Sequence, residues 1–321
     1  MQEAVASAYS RDSSAEEIAR AVDLTGKLAV ITGGAAGLGL ETARALALAG
    51  ADIFIAGRRP QVVAAAAQKL SETGQIVHSA VLDLMSVESV DAFADAVLAL
   101  ERPVDMLIAN AGIMACPLQR TAKGIESQFM TNVVGHAVLL SRLARALAQS
   151  DDGRFVSLSS TAHHMSPVHF DDIQFERRPY EKWSAYGQSK TGNVLLAVKA
   201  AKALGPKGVS CFALHPGMIR TELSRSLDDS DLTQFSSTTA EGQPVADLFK
   251  DVPRGASTSV WAATSPALRG KGPLYLEDNK VAELLTKPAR YHGVSAYALD
   301  PESADRLWTE IETIVERELP L

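Results

Sequence analysis

Cysteine is scarce in this sequence, which has only Cys116 and Cys211 among its 321 residues. Two cysteines are too few for a disulfide framework, and nothing gives them the spacing of a metal site. So few cysteines fit a reducing compartment, and we expect a cytoplasmic protein.

Long apolar runs and an excess of positive charge are also missing. No apolar stretch reaches the roughly 18 residues that a membrane span requires. The start of the chain, Met1–Ala4, lacks the basic and apolar parts of a signal peptide. A net charge of −7 argues against nucleic acid, because phosphate binding needs clustered lysine and arginine. We therefore expect neither a membrane nor a nucleic acid as a partner.

Short apolar runs alternate with helical stretches along most of the chain. The runs predict strands at 28–31, 52–56, 76–82, 106–109, 154–158, 210–214 and 273–276. Strands that alternate with helices imply right-handed crossovers and a parallel sheet covered on both faces. The predicted fold class is therefore α/β, with a doubly wound parallel sheet (a Rossmann fold) in a single domain.

Two segments stand apart from this alternation. Residues 1–25 form an N-terminal extension, in which Ser14 and Glu17 fit a capping box, and residues 26–321 form the domain. Inside the domain, the polar stretch at about 222–255 breaks the pattern. Such an insertion is typical of a substrate lid, and a passive surface loop explains it equally well.

A glycine-rich turn follows the first predicted strand, with Gly33, Gly37 and Gly39 directly before a helix. Glycine permits the tight turn and lets the backbone approach a pyrophosphate at the helix N-terminus. Turns elsewhere also use glycine, but the strand–helix context is the one that dinucleotide binding requires. The positions assigned to the cofactor in this turn are Gly33, Ala35, Gly37, Leu38 and Gly39.

The second predicted strand ends in Arg58 and Arg59. A carboxylate at this point would bind the adenosine ribose of NAD, whereas arginine accommodates the 2′-phosphate of NADP. The alternative is a surface arginine pair without a ligand. The sequence therefore predicts NADP as cofactor, with NAD also possible.

Tyr186 and Lys190 are spaced to share one face of a helix. A phenol normally titrates near pH 10, and a nearby cation lowers its pKa by roughly one to three units. Such a pair is suited to general acid–base catalysis at neutral pH. By itself the spacing is common, and an i, i+4 pair without a function explains it as well.

An ordered set of motifs resembles the short-chain dehydrogenase/reductase family and spans about 190 residues. The motifs are Thr32-(x)3-Gly37-x-Gly39, Asp83-Leu84, Asn110-Ala111-Gly112, Asn132, Ser159-Ser160, Tyr186-(x)3-Lys190 and Pro216-Gly217-(x)3-Thr221. Each motif is weak alone, but their common order indicates the family.

The resemblance implies a catalytic tetrad. Tyr186 would exchange a proton with the substrate oxygen, and Ser160, rather than Ser159, would donate a hydrogen bond to that oxygen. Lys190 would bind the nicotinamide ribose and lower the pKa of Tyr186. Asn132 would hold a water that links Lys190 to solvent, although a plain helical polar residue is the alternative for it.

The resemblance also implies cofactor contacts. Asp83 would hold the adenine amino group, Asn110 would lie beside the adenosine ribose, and Ile219 and Thr221 would anchor the nicotinamide carboxamide. The remaining cofactor positions that it implies are Leu84, Gly112, Tyr186 and Lys190.

A narrower resemblance is to the retinol dehydrogenase and WW-domain oxidoreductase branch. It rests on the runs 158–164 and 170–173, on Asn132-(x)2-Gly135-His136 and on Arg306-Leu307-Trp308. The separation of Ser160 and Tyr186 is 186 − 160 = 26 residues, a spacing that this branch shares. The sequence has neither the N-terminal membrane anchor nor the WW modules of the mammalian members, and retinoid activity is not carried over.

The histidines invite a metal interpretation, which we do not favour. His163, His164 and His169 have no carboxylate or cysteine at a recognised ligand spacing. Packing or lining of the substrate mouth explains them better, and His215 is interpreted as structural. No metal is expected.

The sequence thus predicts an NADP-preferring oxidoreductase that interconverts a carbonyl and an alcohol. The substrate is expected to be a small molecule of medium or bulky, hydrophobic character, and the enzyme a homo-oligomer, a dimer or tetramer. Two alternatives remain open: a sugar-type epimerase or dehydratase, and a non-catalytic dinucleotide sensor.

Overall fold

A computed structural model describes residues 2–219, 245–286 and 291–321. The strands are β1 Leu28–Thr32, β2 Asp52–Gly57, β3 Val77–Val81, β4 Met106–Ala109, β5 Arg154–Leu158, β6 Ser210–His215, β7 Met218–Ile219, β8 Phe249–Lys250, β9 Leu274–Glu277 and β10 Lys280–Val281. Within these residues, an eight-stranded sheet has the order β10-β9-β6-β5-β4-β1-β2-β3, and β7 pairs with β8. Only β10 runs antiparallel to its neighbour in the large sheet. The predicted doubly wound parallel sheet is confirmed.

The helices lie in two layers. They are α1 Ala15–Ala19, α2 Gly37–Leu48, α3 Pro60–Ser71, α4 Val87–Leu98, α5 Ser127–Phe129, α6 Gly135–Ala148, α7 Lys182–Leu204, α8 Val252–Thr264 and α9 Pro301–Val315. One core, with Val30 and Leu107 from the sheet, packs against α4, α6, α7 and α9. The other core, with Ile31 and Ile108, packs against α1, α2, α3 and α8. Because both faces are covered, the central strands are continuous apolar runs.

The N-terminal extension packs onto the second of these cores. Both halves of the capping box between Ser14 and Glu17 form, and α1 begins at the next residue. Ile18 is 2% exposed, and Glu16 pairs with Arg44 of α2 at 2.9 Å. The division of the chain at residue 25 stays a prediction, as does the lid, since 222–244 of that insertion lie outside the described residues.

The fold places a crevice at the carboxyl ends of the strands. The strand order reverses between β1 and β4, which are neighbours in the sheet. In open parallel sheets the loops diverge at such a point and leave room for a ligand. The residues that follow β1, β4 and β5 therefore meet at one edge.

Membrane and metal features are missing from the described part of the chain. No helix there combines the length and apolar character needed to cross a bilayer. No group of three or more His, Cys, Asp or Glu side chains there could hold a metal ion.

Candidate active site

The glycine turn after β1 is built for close backbone approach. Gly33 and Gly37 have φ of +66° and +52°, which side chains disfavour. A Cβ on Gly39 would lie 2.4 Å from the Gly33 carbonyl oxygen and 2.5 Å from Asn110 Nδ2. The N-terminus of α2 at Ala36 has no side-chain cap, so its N–H groups are available for an anion. This turn fits the pyrophosphate of a dinucleotide.

The adenine-side positions lie at the ends of β2 and β3. Arg58 and Arg59 follow β2 and are exposed, and Arg59 is the residue before α3. Asp83 follows β3, where its Oδ1 accepts from the Met85 main chain at 3.0 Å. Leu84 is buried, and its carbonyl oxygen would lie 2.6 Å from a Cβ on Gly135. Leu84 therefore packs against the start of α6.

Thr32 joins the glycine turn to the end of β4. Its hydroxyl oxygen accepts from the main chains of Asn110 and Ala111, both at 3.0 Å, and Asn110 Nδ2 donates to the Thr32 carbonyl at 2.8 Å. The Thr32 hydroxyl lies 2.9 Å from His136 Nε2, so it donates there. His136 Nδ1 in turn donates to the Asn132 carbonyl at 2.9 Å. Burial lowers the pKa of His136 to about 4, which keeps this bridge neutral.

Asn132 lies in a π-helical segment, Met130–Val134, that joins α5 to α6. Its amide exchanges two hydrogen bonds with the Ile113 main chain and donates to Ser189 Oγ at 2.9 Å. A Cβ on Gly112 would lie 3.1 Å from Asn132 Oδ1 and 3.6 Å from Lys190 Nζ. Asn132 therefore joins the loop after β4 to α7, close to the Lys190 amine.

Tyr186 and Lys190 share a face of α7, as their spacing predicts, and both are buried. Lys190 Nζ donates to the Leu158 carbonyl at 2.9 Å and lies 5.7 Å from the Tyr186 ring centroid. Burial lowers the pKa of Lys190 to about 7.

The effect on the Tyr186 phenol differs from the expectation drawn from spacing. Burial raises the pKa of Tyr186 to about 12, against the smaller lowering effect of a hydrogen bond with Ser160. The expected lowering by Lys190 is therefore not seen among the protein's own groups. Desolvation of the buried phenol outweighs the benefit of a neighbouring amine that is itself desolvated.

The two adjacent serines after β5 point to different partners. Ser159 is buried, and its hydroxyl donates to the Lys190 carbonyl at 2.8 Å. Ser160 is partly exposed, bonds the Tyr186 side chain and accepts from the Ala162 main chain at 3.1 Å. The structure thus brings Ser160, and not Ser159, to the phenol.

The predicted nicotinamide anchor begins at β7. Ile219 lies against α8 and the glycine turn, because a Cβ on Gly255 would meet both Ile219 and Leu38 within 2.8 Å. The preceding turn is held by His215, which accepts from the Gly217 main chain at 3.2 Å and pairs with Glu277 at 3.0 Å. Thr221 lies outside the described residues.

An apolar cluster surrounds the phenol. It contains Ala115, Ala162, Trp183 and Tyr186, with Met114 packed against them. The Trp183 ring meets the Tyr186 ring edge-on, at 6.3 Å between centroids. The phenol therefore lies in apolar surroundings.

Three further side chains support the site, and of these only His136 was named from the sequence, as part of a branch motif. Ser189 bonds Asn132, His136 bridges Thr32 and Asn132, and Asn193 Nδ2 donates to the Asn132 carbonyl at 2.6 Å. Ser189 and Asn193 are polar positions inside a long buried helix, and that pattern is a signal that could have identified them.

Known proteins resemble this chain in both sequence and structure. The model of the short chain dehydrogenase family matches residues 27–232. A Streptomyces lividans protein named "Probable oxidoreductase" is 45% identical over 292 residues, covering 89% of this chain and 97% of that one. Human retinol dehydrogenase 12 is 36% identical over 290 residues, covering 89% and 85%. A solved structure from Mycobacterium paratuberculosis superposes with a TM-score of 0.69 at 30% identity, covering 94% and 97%.

Proposed function

The chain belongs to the short-chain dehydrogenase/reductase family, and from this premise we propose that it interconverts a carbonyl and an alcohol with NADP. Membership makes it an NAD(P)-dependent oxidoreductase, as the names of its relatives also indicate. This favours catalysis by hydride transfer over an epimerase, a dehydratase or a dinucleotide sensor.

The carrying observation is the convergence of Ser160, Tyr186, Lys190 and Asn132 beside the glycine turn. Ser160 follows β5, Tyr186 and Lys190 lie on α7, and Asn132 lies in the π-helical segment. Lys190 lies close to both Gly112 and Tyr186. A buried phenol, a buried amine and a hydroxyl at one crevice are the groups that carbonyl reduction requires.

Each of these residues has a role in the proposed mechanism. The nicotinamide cofactor supplies the hydride when bound. Ser160 donates a hydrogen bond to the substrate oxygen and orients it toward the phenol. Tyr186, protonated over the neutral range because its pKa is raised to about 12, donates the proton to that oxygen. Lys190 would bind the nicotinamide ribose hydroxyls, and Asn132 fixes the loop beside the amine.

The glycine turn, Asp83, Asn110, Gly112, Ile219 and Thr221 would hold the cofactor in this proposal. Arg58, exposed at the end of β2, would bind the 2′-phosphate, which supports NADP over NAD. Arg58→Ala should therefore raise the dissociation constant for NADPH about 10- to 100-fold, the value of a charge-assisted hydrogen bond. The constant for NADH should stay unchanged, with fluorescence titration as the measurement.

Arg20→Ala, directly after α1, changes an exposed arginine and is the control for lost surface charge. Equal weakening of NADPH and NADH in Arg58→Ala would mean that the arginine does not recognise the 2′-phosphate.

The substrate class follows from the surface around the phenol. Met114, Ala115, Ala162 and Trp183 give the approach to Tyr186 an apolar lining. A medium or bulky hydrophobic ketone, aldehyde or alcohol would bury apolar area against it. A panel of such carbonyls, followed by NADPH absorbance, is the assay for this class.

The test of the mechanism is Tyr186→Phe, which removes the proton donor and keeps the ring. We expect turnover to fall about 100- to 10,000-fold, the range for loss of a general acid, while cofactor affinity stays close to that of the wild type. Tyr9→Phe, which makes the same chemical change on the N-terminal extension, should keep full activity. Substantial turnover in Tyr186→Phe would reject the mechanism.

We extend the proposal to assembly and location. A homo-oligomer, dimer or tetramer, is supported by family membership, and light scattering gives the mass that tests it. A cytoplasmic location is supported by Cys116 and Cys211, neither of which forms a disulfide. Fractionation of cells that produce the protein is the corresponding measurement.

A further inference from the structure

His163 lies directly behind Ser160 and is fully buried. It belongs to the short 3-10 helix Thr161–Met165, which Ser160 begins. Its Nδ1 lies 2.6 Å from the Ser160 main-chain oxygen, and its Nε2 lies 3.2 Å from the Ser295 main-chain nitrogen. The imidazole therefore joins the serine turn to a segment more than a hundred residues further along the chain.

The two contacts determine where the imidazole proton lies. The Ser160 carbonyl can only accept, so Nδ1 carries the hydrogen, and the Ser295 N–H can only donate, so Nε2 offers its lone pair. The ring is thus a neutral imidazole in one tautomer. Burial, which lowers the pKa of His163 to about 3, agrees with this assignment.

Other groups around the ring come from its own turn, from β9 and β6, and from the 291–299 segment. His164 stacks on it from the same turn, at 3.9 Å between ring centroids, and Tyr275 of β9 places its hydroxyl 3.3 Å from Nδ1. His215 of β6 acts on it electrostatically, and the Tyr297 hydroxyl donates to its main-chain oxygen. None of these groups reaches the Ser160 carbonyl, which also accepts from the His163 main chain at 3.0 Å. The His163 imidazole is therefore the side chain that connects this carbonyl to Ser295.

We propose that His163 is a positioning residue for Ser160, through which the 291–299 segment sets the direction of the serine hydroxyl at the phenol. Ser160 Oγ accepts from the Ala162 main chain, so the path of the 160–163 turn fixes where its hydrogen points. Without the imidazole, the Ser160 carbonyl loses its link to Ser295, the serine hydroxyl loses that direction, and the bond between Ser160 and Tyr186 weakens. The inference rests on the proposed function.

His164 provides a matched comparison. His164 also binds the 291–299 segment, through Ser295 Oγ at 2.8 Å and the His292 carbonyl at 3.2 Å. None of its hydrogen bonds goes to Ser160. Replacing either histidine should loosen the 291–299 segment, whereas only the replacement of His163 should misplace Ser160.

The experiment compares His163→Leu, His163→Asn and His164→Leu in the full chain. We expect kcat of His163→Leu to fall about 10- to 100-fold, the scale of a small misplacement at a reacting group, with unchanged affinity for NADPH. Its pH–kcat profile should move to higher pH, because Ser160 lowers the pKa of Tyr186. His163→Asn, which restores a donor to the carbonyl, should recover part of the rate, and His164→Leu should keep the wild-type profile. An unmoved profile in His163→Leu, or equal shifts in the two leucine variants, would overturn the proposal.

A second measurement needs neither turnover nor a variant. Nitrogen-15 NMR of the histidine rings at pH 6 should show His163 neutral, with the hydrogen on Nδ1. A hydrogen on Nε2, or an imidazolium, contradicts the proposal even if the leucine variant fails to fold. A different result rejects the proposed function, namely turnover of Tyr186→Phe at the rate of the wild type. An inactive Tyr186→Phe beside an unmoved His163→Leu profile rejects only the role of His163.

Discussion

At the scale of the residue, Ser159 and Ser160 contact different groups although they are neighbours in the chain. Both follow β5 in extended backbone, where successive side chains point to opposite sides. One hydroxyl therefore faces the interior and holds the Lys190 carbonyl, and the next faces the crevice and the phenol. The pair divides two tasks, one for support of α7 and one for the substrate.

Gly39 offers a residue-scale prediction about the glycine turn. In Gly39→Ala the new Cβ would meet the Gly33 carbonyl oxygen at 2.4 Å, and a backbone atom cannot give way. We expect unfolding to become easier by about 1–3 kcal/mol, the cost of overpacking, together with loss of dinucleotide binding. Urea unfolding and a cofactor titration measure the two effects.

Gly205→Ala is the matched control for the glycine prediction. Gly205 has ordinary helical dihedral angles, and a Cβ there would meet nothing within 4 Å. This variant should keep its cofactor affinity. Its free energy of unfolding should change by less than about 1 kcal/mol, because the less flexible unfolded chain is offset by crowding of the new Cβ against Pro206. Similar losses in the two variants would mean that the turn has no special need for glycine.

At this scale the sequence predicts that Tyr186 and Lys190 lie close together, but it does not predict how burial shifts the pKa of Tyr186. The shared face of Tyr186 and Lys190 follows from helical geometry alone. The pKa of Tyr186 depends on burial by Trp183 and the loop after β4, which are distant in the sequence. A spacing rule contains no measure of desolvation, so it gave the wrong direction for the effect of the protein's own groups. The combined effect of Lys190 and a bound cofactor on this pKa stays a prediction.

At the scale of the element, α1 tests how firmly the extension is attached. Ile18 is 2% exposed and packs in the core beneath α2 and α8. Ile18→Ala should lower the free energy of unfolding by about 2–5 kcal/mol, the cost of a buried isoleucine. Ile76→Ala, at a position 59% exposed, should change it by less than about 0.5 kcal/mol. Equal changes in urea melts would show that α1 detaches before the core unfolds.

Elements were predictable where burial is complete, because apolar runs then coincide with strands. The predicted strands lie within one or two residues of β1, β2, β3, β4, β5, β6 and β9. The start of α8 was not predicted: the helix begins at Val252, inside the stretch at about 222–255 that breaks the alternation, with Asp251 as cap and a proline in the first turn. The π-helical segment could not be predicted, because its wider helical turn depends on contacts between Asn132 and the loop after β4.

At the scale of the whole molecule, buried histidines predict a loss of stability in mild acid. Burial lowers the pKa of His136 to about 4 and of His163 to about 3, while both titrate near 6.5 in the unfolded chain. Below pH 6.5 the unfolded state therefore binds more protons, and stability falls with pH. We expect each of the two to cost about 2 kcal/mol between pH 7 and 5, measured by urea unfolding.

The chosen window separates this effect from that of carboxylates. Unfolded Asp and Glu titrate near pH 4, so their lowered native pKa values act mainly below pH 5. Glu126, whose pKa burial raises, acts in the opposite direction and would reduce the slope. A stability that is flat from pH 7 to 5 would contradict the burial of these histidines.

The overall architecture and the family could be predicted because their signals are distributed. Thr32, Asn110 and Asn132 are separated along the chain, yet hydrogen bonds bring them into one network around His136. Order along the sequence revealed the set, and the sheet topology explains why it converges. The anchoring of the 291–299 segment behind Ser160 could not be foreseen, because no periodic pattern marks a loop that packs on a turn.

The π-helical segment is a place where this chain absorbs a change in length. A π-helical turn holds one residue more than an α-helical turn, so deleting one residue within Met130–Val134 would leave an α-helical turn between α5 and α6. The apolar face of α6 would stay in the core, whereas Asn132 would leave Ile113 and Ser189. The same deletion within α6 would rotate one part of that helix by about 100° relative to the other and expose part of its apolar face.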